Sequence, residues 1–233
     1  MTVEPLSLSP VGTELLDDPG ADPGAVTESL RNIARSNRWF GGTAAALHGL
    51  SRILAGTPRG ARLTLLDLGT GAGDLPLAAV RKAARRDIRL SPLGLERSRV
   101  AAALASASGI PCAVACAGAP PFRSKSVDVV LVSQVIHHLD SASAIRLLRT
   151  CDRLARVGVV VSDIRRGRVA RVAFWFGARA LRFDRVTTSD GLTSIRRGYT
   201  AGELRELLRR AGITGKVSRR PGYRLVATWS PGG

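Results

Sequence analysis

Two kinds of apolar pattern alternate along this chain. RLTLLDL (62–68), SVDVVLVSQ (126–134) and VGVVVSDI (157–164) are almost unbroken in leucine, valine and isoleucine. Strands buried on both faces read this way. Between them, LPLAAVRKAARR (75–86), RSRVAAALASAS (97–108) and ASAIRLLRTCDRLAR (142–156) repeat their apolar residues at helical spacing. IRLSPLGLE (88–96) and IPCAVAC (110–116) supply two more strands, and AGELRELLRRAG (201–212) a last helix. ITGKVSR (213–219) and YRLVATWS (223–230) close the chain as a strand pair. Only Arg220, Pro221 and Gly222 separate them, too few for a crossover helix, so one of the two runs antiparallel. The alternation predicts an α/β fold: a seven-stranded, mostly parallel, doubly wound (Rossmann-like) sheet with helices on both faces.

Two segments stand outside that rhythm. Residues 1–24 are rich in proline, glycine and aspartate and read as loose. TESLRNIARSNRWFGG then carries Val26, Leu30, Ile33 and Ala34 on one helical face, and Thr43–Leu54 makes a second short helix. Residues 1–60 are thus expected to form a loose segment and helical lid on a domain of residues 61–233. A cap is expected as an insertion at about 165–199, where the alternation breaks off.

Charge complicates the picture. The 233 residues carry a net +17, which invites a nucleic-acid partner. Nearly all of that charge is arginine, dispersed over helices instead of gathered in one tract, and lysine occurs only at Lys82, Lys125 and Lys216. A solvated basic surface is the simpler reading, and nucleic acid is disfavoured. No stretch is apolar and long enough to cross a membrane, and the N-terminus lacks a secretory pattern. Cys112, Cys116 and Cys151 form no pairing or metal spacing, so reduced thiols, a cytoplasmic location and no metal are expected.

The chemistry concentrates at LLDLGTGAGDLPL (65–77), where a strand runs through three glycines into a helix. A dinucleotide turn needs a third glycine where this chain has Asp74, and no Lys-Ser/Thr pair follows for a triphosphate. Asp67, just before the turn, would repel a pyrophosphate and attract an ammonium group. Glu96, ending the second strand, suits the two hydroxyls of a ribose. Together they ask for an unphosphorylated adenosine with an amino-acid tail.

These residues resemble the class I S-adenosylmethionine-dependent methyltransferases, of the small-molecule and quinone-biosynthesis kind. LLDLGTGAGDLPL resembles that family's first motif and LGLERS its second strand end. AVACAGAPPFRSKSVDVVLVSQVIHHLD, VVVSDIRR and YTAGELRELLRRAG resemble its later motifs. The resemblance implies S-adenosylmethionine as methyl donor and S-adenosylhomocysteine as product. It places Asp67, Gly69 and Gly71 around the methionine part, with Gly73 allowing close helix approach and Asp74 reaching the amino group through water. Glu96 would take the ribose, Arg97, Cys116 and Ala117 the adenine, and Ser133 and Gln134 the sulfonium side. Cys116 stands where the family often has an aspartate, and a thiol accepts hydrogen bonds poorly.

The acceptor is narrowed by what is missing. The (N/D)-P-P-(Y/F) signature of amino methylation is replaced by SQVIHH, and no cysteine sits at the fourth strand end for pyrimidine C5 chemistry. Oxygen or carbon methylation of a small acceptor remains, with His137 and His138 as candidate proton acceptors and Asp163 and Arg165 as acceptor contacts or a mutual pair. VAFWFGARALRF (172–183) gathers aromatics between arginines. Phe174 and Trp175, with Trp39 and Phe40 from the lid, would line a pocket for an aromatic or lipophilic acceptor, or touch a membrane surface. The alternatives are an RNA methyltransferase, resting on charge alone, and a protein that binds S-adenosylmethionine without turnover. Oligomeric state has no sequence signal.

Overall fold

A computed structural model describes residues 14–18 and 20–232. Seven strands form one sheet: β1 (Arg62–Leu68), β2 (Arg89–Glu96), β3 (Cys112–Val114), β4 (Val127–Ser133), β5 (Ala155–Ile164), β6 (Lys216–Arg220) and β7 (Arg224–Trp229). Their spatial order is β3-β2-β1-β4-β5-β7-β6. The first five pair in parallel, β7 runs antiparallel to β5, and β6 returns antiparallel along β7. This is the mostly parallel, doubly wound sheet expected from the alternation, with the short β6–β7 link forcing the antiparallel edge.

The helices are α1 (Pro23–Trp39), α2 (Gly42–Ile53), α3 (Asp74–Ala84), α4 (Arg99–Ala107), α5 (Ser141–Leu154), α6 (Arg168–Ala180), α7 (Arg185–Arg197) and α8 (Ala201–Ala211). One core packs Leu66, Leu68, Val130, Val132, Val159 and Val161 beneath Leu147 and Leu148 of α5 and Leu204 and Leu207 of α8. The other packs Leu65, Val129, Leu131, Val160 and Val226 beneath α2 and α3, through Ala46, Leu50 and Ala79. Alternate residues of β1, β4 and β5 therefore serve opposite cores, which is why their sequence shows no polar face.

Helix ends follow local chemistry. Helix α8 opens on a capping box, Thr200 with Glu203, and closes on left-handed Gly212. Helix α1 begins at Pro23, earlier than its apolar period suggests, because Asp22 accepts from the Ala25 N–H and proline takes the first helical position. Strand β3 is shorter than the apolar run around it.

The segment expected to cap the sheet folds as α6 and α7, whose Ala170, Phe174, Ala178 and Ile195 pack together with Ile164 at the end of β5. Leu15–Asp17, within the stretch read as loose, forms a single 3-10 turn. The Glu14 and Asp17 side chains and backbones cap that turn reciprocally, and Asp190 of α7 accepts from the Leu15 N–H. Residues 1–13 and 19, also read as loose, lie outside the described residues.

Candidate active site

In such a sheet the ligand crevice opens at the carboxyl ends of the strands where their order reverses, here between β1 and β4. A cavity of about 600 Å³ lies there, running from the glycine turn after β1 to the α6–α7 cap.

The turn itself is built by backbone shape. Gly69, Gly71 and Gly73 all take positive φ (78°, 56° and 83°), where a side chain is strained. A Cβ on Gly69 would lie 2.6 Å from Val135, and one on Gly73 would press on Ile110 and Ala105, so Gly73 lets the turn sit against α4. Asp67 ends 1% exposed at the cavity's edge, and among the described residues its Oδ1 has no hydrogen-bond partner. Burial pushes its carboxyl up to about 7, with Asp74 and Glu96 nearby adding repulsion. Asp74, first residue of α3, is also raised by burial. Glu96 accepts from the N–H groups of Gly71, Arg97 and Ser98, which fixes its carboxylate at the end of β2. A buried carboxyl with one oxygen unpartnered among the described residues, beside an open glycine turn, fits a ligand that brings an ammonium group. Arg97, Cys116, Ala117, Ser133 and Gln134 border the same cavity, and the Cys116 thiol is exposed.

The acceptor end is organised by a pair that spacing did not suggest. His137, in a 3-10 turn just after β4, directs Nδ1 at Asp163 Oδ1, 2.6 Å away at the end of β5. An ionised carboxylate only accepts, so Nδ1 carries the proton and Nε2 is left as the acceptor. That Nε2 is buried and without a hydrogen-bond partner among the described residues, and His137 borders the cavity. Asp163 also accepts from the N–H groups of Ile136 and Ile164. Burial alone would raise its carboxyl, but His137 and the Ile164 N–H together hold it below the ordinary range.

His138 stacks beside His137, ring centroids 4.2 Å apart. Its Nδ1 lies 3.1 Å from Asp17 Oδ1, and Arg197 Nη1 bonds both Asp17 (2.9 Å) and Glu14 (3.2 Å). The hydrogen bond from His138 is the main cause that holds the Asp17 carboxyl well below its usual range, whereas burial raises that of Glu14. The N-terminal turn thus closes one side of the cavity with two carboxylates. Their only sequence signal is the Glu14-x-x-Asp17 spacing of a reciprocal cap, and Arg197 carries none.

Several expected acceptor contacts lie elsewhere. Asp163 is 1% exposed, outside the cavity lining, and its partner is His137, not Arg165. Arg165 stacks its guanidinium over the Tyr223 ring, 4.7 Å from the centroid, and does not line the cavity. Trp39 is 68% exposed and Trp175, turned to the outer face of α6 beside Phe176, is 40% exposed. Neither borders the cavity. Phe40 and Phe174 do, their rings 5.4 Å apart, and Tyr223 joins them. The helical period of α6 places Phe174 inward and its neighbours outward.

Residues 66–162 match a family model described as a methyltransferase domain. No curated protein matches the sequence significantly. Among solved structures, a SAM dependent methyltransferase from Aquifex aeolicus matches with a TM-score of 0.58 at 16% identity, over 89% of this chain and 97% of that one. The complex of the Haloferax volcanii Trm112 methyltransferase activator with its methyltransferase gives 0.57 and 16%, over 90% and 96%. An O-methyltransferase from neocarzinostatin biosynthesis, solved with S-adenosylmethionine and 2-hydroxy-5-methyl naphthoic acid, gives 0.65 and 19%, over 94% of this chain and 62% of that one. At these identities the likeness to solved structures is one of fold. The family model runs from within β1 to within β5 and takes in the glycine turn, Glu96 and both histidines, so residues 66–162 form a methyltransferase domain, set in a chain with the fold of S-adenosylmethionine-dependent methyltransferases.

Proposed function

We propose that the chain methylates a hydroxyl group of a small aromatic or lipophilic acceptor. The observation that carries this reading is the His137–Asp163 pair, whose free Nε2 borders the same cavity as the glycine turn. When bound, S-adenosylmethionine supplies an activated methyl group on a sulfonium. Asp67 and Asp74 would hold its ammonium end and Glu96 its ribose. The backbone and side chains around Cys116 and Ala117, with Arg97, would pack its adenine.

The chain's own groups then position the acceptor and manage its proton. Phe40, Phe174 and Tyr223 offer flat apolar surfaces for an aromatic ring. His137 Nε2 accepts the proton of the acceptor hydroxyl, and Asp163 keeps Nδ1 protonated and stabilises the resulting imidazolium. Methylation at carbon needs the same base only where an enol must be deprotonated, so the geometry favours oxygen. The naphthoic acid bound to the neocarzinostatin O-methyltransferase is in keeping with an aromatic hydroxy acceptor.

Two measurements test the reading. Calorimetry with S-adenosylmethionine and S-adenosylhomocysteine should give binding that Asp67→Ala abolishes. Incubation with labelled S-adenosylmethionine and a panel of phenols, naphthols and hydroxynaphthoic acids should give methyl ethers. Binding without transfer to any hydroxyl acceptor, alongside transfer to amine or RNA substrates, would sink the assignment.

A further inference from the structure

We infer that Glu14, His137 and His138 form a binding site for a divalent transition cation of the zinc class at the acceptor end of the cavity. One ring nitrogen of each histidine and one carboxylate oxygen of Glu14 lie within 4.8 Å of one another. Two imidazoles and one carboxylate are a donor set that zinc-class cations take, with further positions left open.

The geometry is that of donors that converge without satisfying each other. His138 Nε2 stands 3.9 Å from Glu14 Oε2, beyond hydrogen-bond reach. His137 Nε2, on a side chain 2% exposed, has no hydrogen-bond partner among the described residues. A cation about 2 Å from each donor would bridge gaps of this size after small side-chain rotations.

Each ligand is also held from behind, as metal ligands are. Asp163 fixes His137 through Nδ1, and His138 turns Nδ1 back to a point 3.1 Å from both Asp17 Oδ1 and Arg197 Nη1. Arg197 and Ser194 bond the Glu14 carboxylate at Oε1 and Oε2. Both rings therefore present Nε2 forward. Among these groups, the carboxylates of Glu14, Asp17 and Asp163 outnumber the Arg197 guanidinium, a surplus of negative charge that suits a dication. The spacing of histidines and cysteines gives no hint of it, because Glu14 comes from the far N-terminal turn. A cation there would occupy His137 Nε2, so the proton-accepting role proposed above belongs to the metal-free protein, and the open positions would take a hydroxyl or carboxylate oxygen from the cavity.

The test uses the full chain after chelator treatment, without cofactor or acceptor, so its outcome is independent of methyl transfer. Co2+ is titrated by visible absorption, with Zn2+ competing. The expectation is one equivalent with a nitrogen and oxygen ligand spectrum, displaced by Zn2+. Glu14→Gln and His138→Asn should each weaken binding at least ~10-fold, as should Asp17→Asn through His138. His48→Asn, away from the cavity, should leave it unchanged. Circular dichroism establishes that each variant is folded. Absence of a stoichiometric Co2+ spectrum in folded protein would overturn the site. So would binding that survives both ligand substitutions, or a thiolate charge-transfer band in the near ultraviolet. Methyl transfer by the chelator-treated protein separately tests the activity proposed above.

Discussion

His137 and Asp163 meet at 2.6 Å, Nδ1 to Oδ1, with both side chains almost wholly out of water. The parallel register of β4 on β5, Ser133 opposite Ser162, brings the two strand ends together. An amide in place of Asp163 could present a donor to Nδ1 and favour the wrong tautomer. Asp163→Asn should therefore lower kcat by about 10²- to 10⁴-fold while leaving the S-adenosylmethionine Kd unchanged. The same substitution bears on stability with a defined sign. The folded carboxyl lies below its ordinary 3.8, so its contribution is complete above that value and is lost as pH falls through the lower folded one. Urea midpoints of wild type and variant should differ at pH 7 and converge as the solution is acidified through the lowered folded value. Equal kcat in the variant would remove the base role.

Asp67 works in the opposite direction. Its carboxyl is raised from 3.8 to about 7, so the ligand-free fold keeps a proton that the unfolded chain has lost. Stability then falls as pH rises through that window, and the cost is complete above about pH 7. Asp67→Asn should raise the Tm of ligand-free protein most at pH 8, less at pH 5, and least below pH 3.8, where both states keep the proton. Cofactor binding needs the carboxylate, so at pH 6 it should release protons. Calorimetric enthalpies measured in buffers of different ionisation enthalpy should diverge there, with protons released. No buffer dependence at pH 6 would mean that Asp67 is already ionised.

The sheet was legible because its central strands announce themselves. Leu65–Leu66, Val129–Val132 and Val159–Val161 have no polar alternation, and each serves a core on either face. The glycine turn was legible because Asp67 and Glu96 each sit at a strand end, so local reading sufficed. The acceptor end was not. Asp163 lies 26 residues from His137, and only strand register joins them. Glu14 and Asp17 sit in a segment without apolar period, and their partner Arg197 is 183 and 180 residues away. Trp175 and Phe174 are adjacent in an aromatic cluster, and composition does not say which of them turns inward.

That last distinction predicts unequal costs. Phe174 is 8% exposed, packs on Phe40, and fills the space over Gly191, whose Cβ would lie 2.2 Å from its ring. Phe174→Ala should destabilise by about 3 kcal/mol and raise the acceptor KM. Trp175→Ala, at an exposed position, should cost under about 1 kcal/mol and leave KM unchanged. Gly191→Ala should displace the Phe174 ring and change acceptor preference without altering cofactor affinity. Urea denaturation and KM for one acceptor across the three variants check this. A larger KM change in the tryptophan variant would reverse the assignment of the pocket wall.

Gln134 ties α1 to the sheet and does so from a costly backbone position, φ 57°. Its Oε1 accepts from Arg224 Nη1 at 2.9 Å, and its Nε2 donates to Asn37 of α1. Arg224 is 5% exposed, burial lowers its guanidinium to about 10, and its Nε donates to the Phe40 carbonyl. Gln134→Ala strips both links and leaves that guanidinium short of an acceptor, at a cost of about 1–3 kcal/mol. Gln134→Glu separates the two functions. It gives Arg224 a charged acceptor but offers Asn37 Oδ1 no donor, so global stability should hold while the end of α1 loosens. Hydrogen exchange at Phe40, whose N–H bonds the Ser36 carbonyl, should speed in both variants, whereas the urea midpoint should fall only in the alanine variant. Unchanged exchange at Phe40 in Gln134→Glu would show that Asn37 does not hold α1, and that Arg224 alone joins it to the sheet.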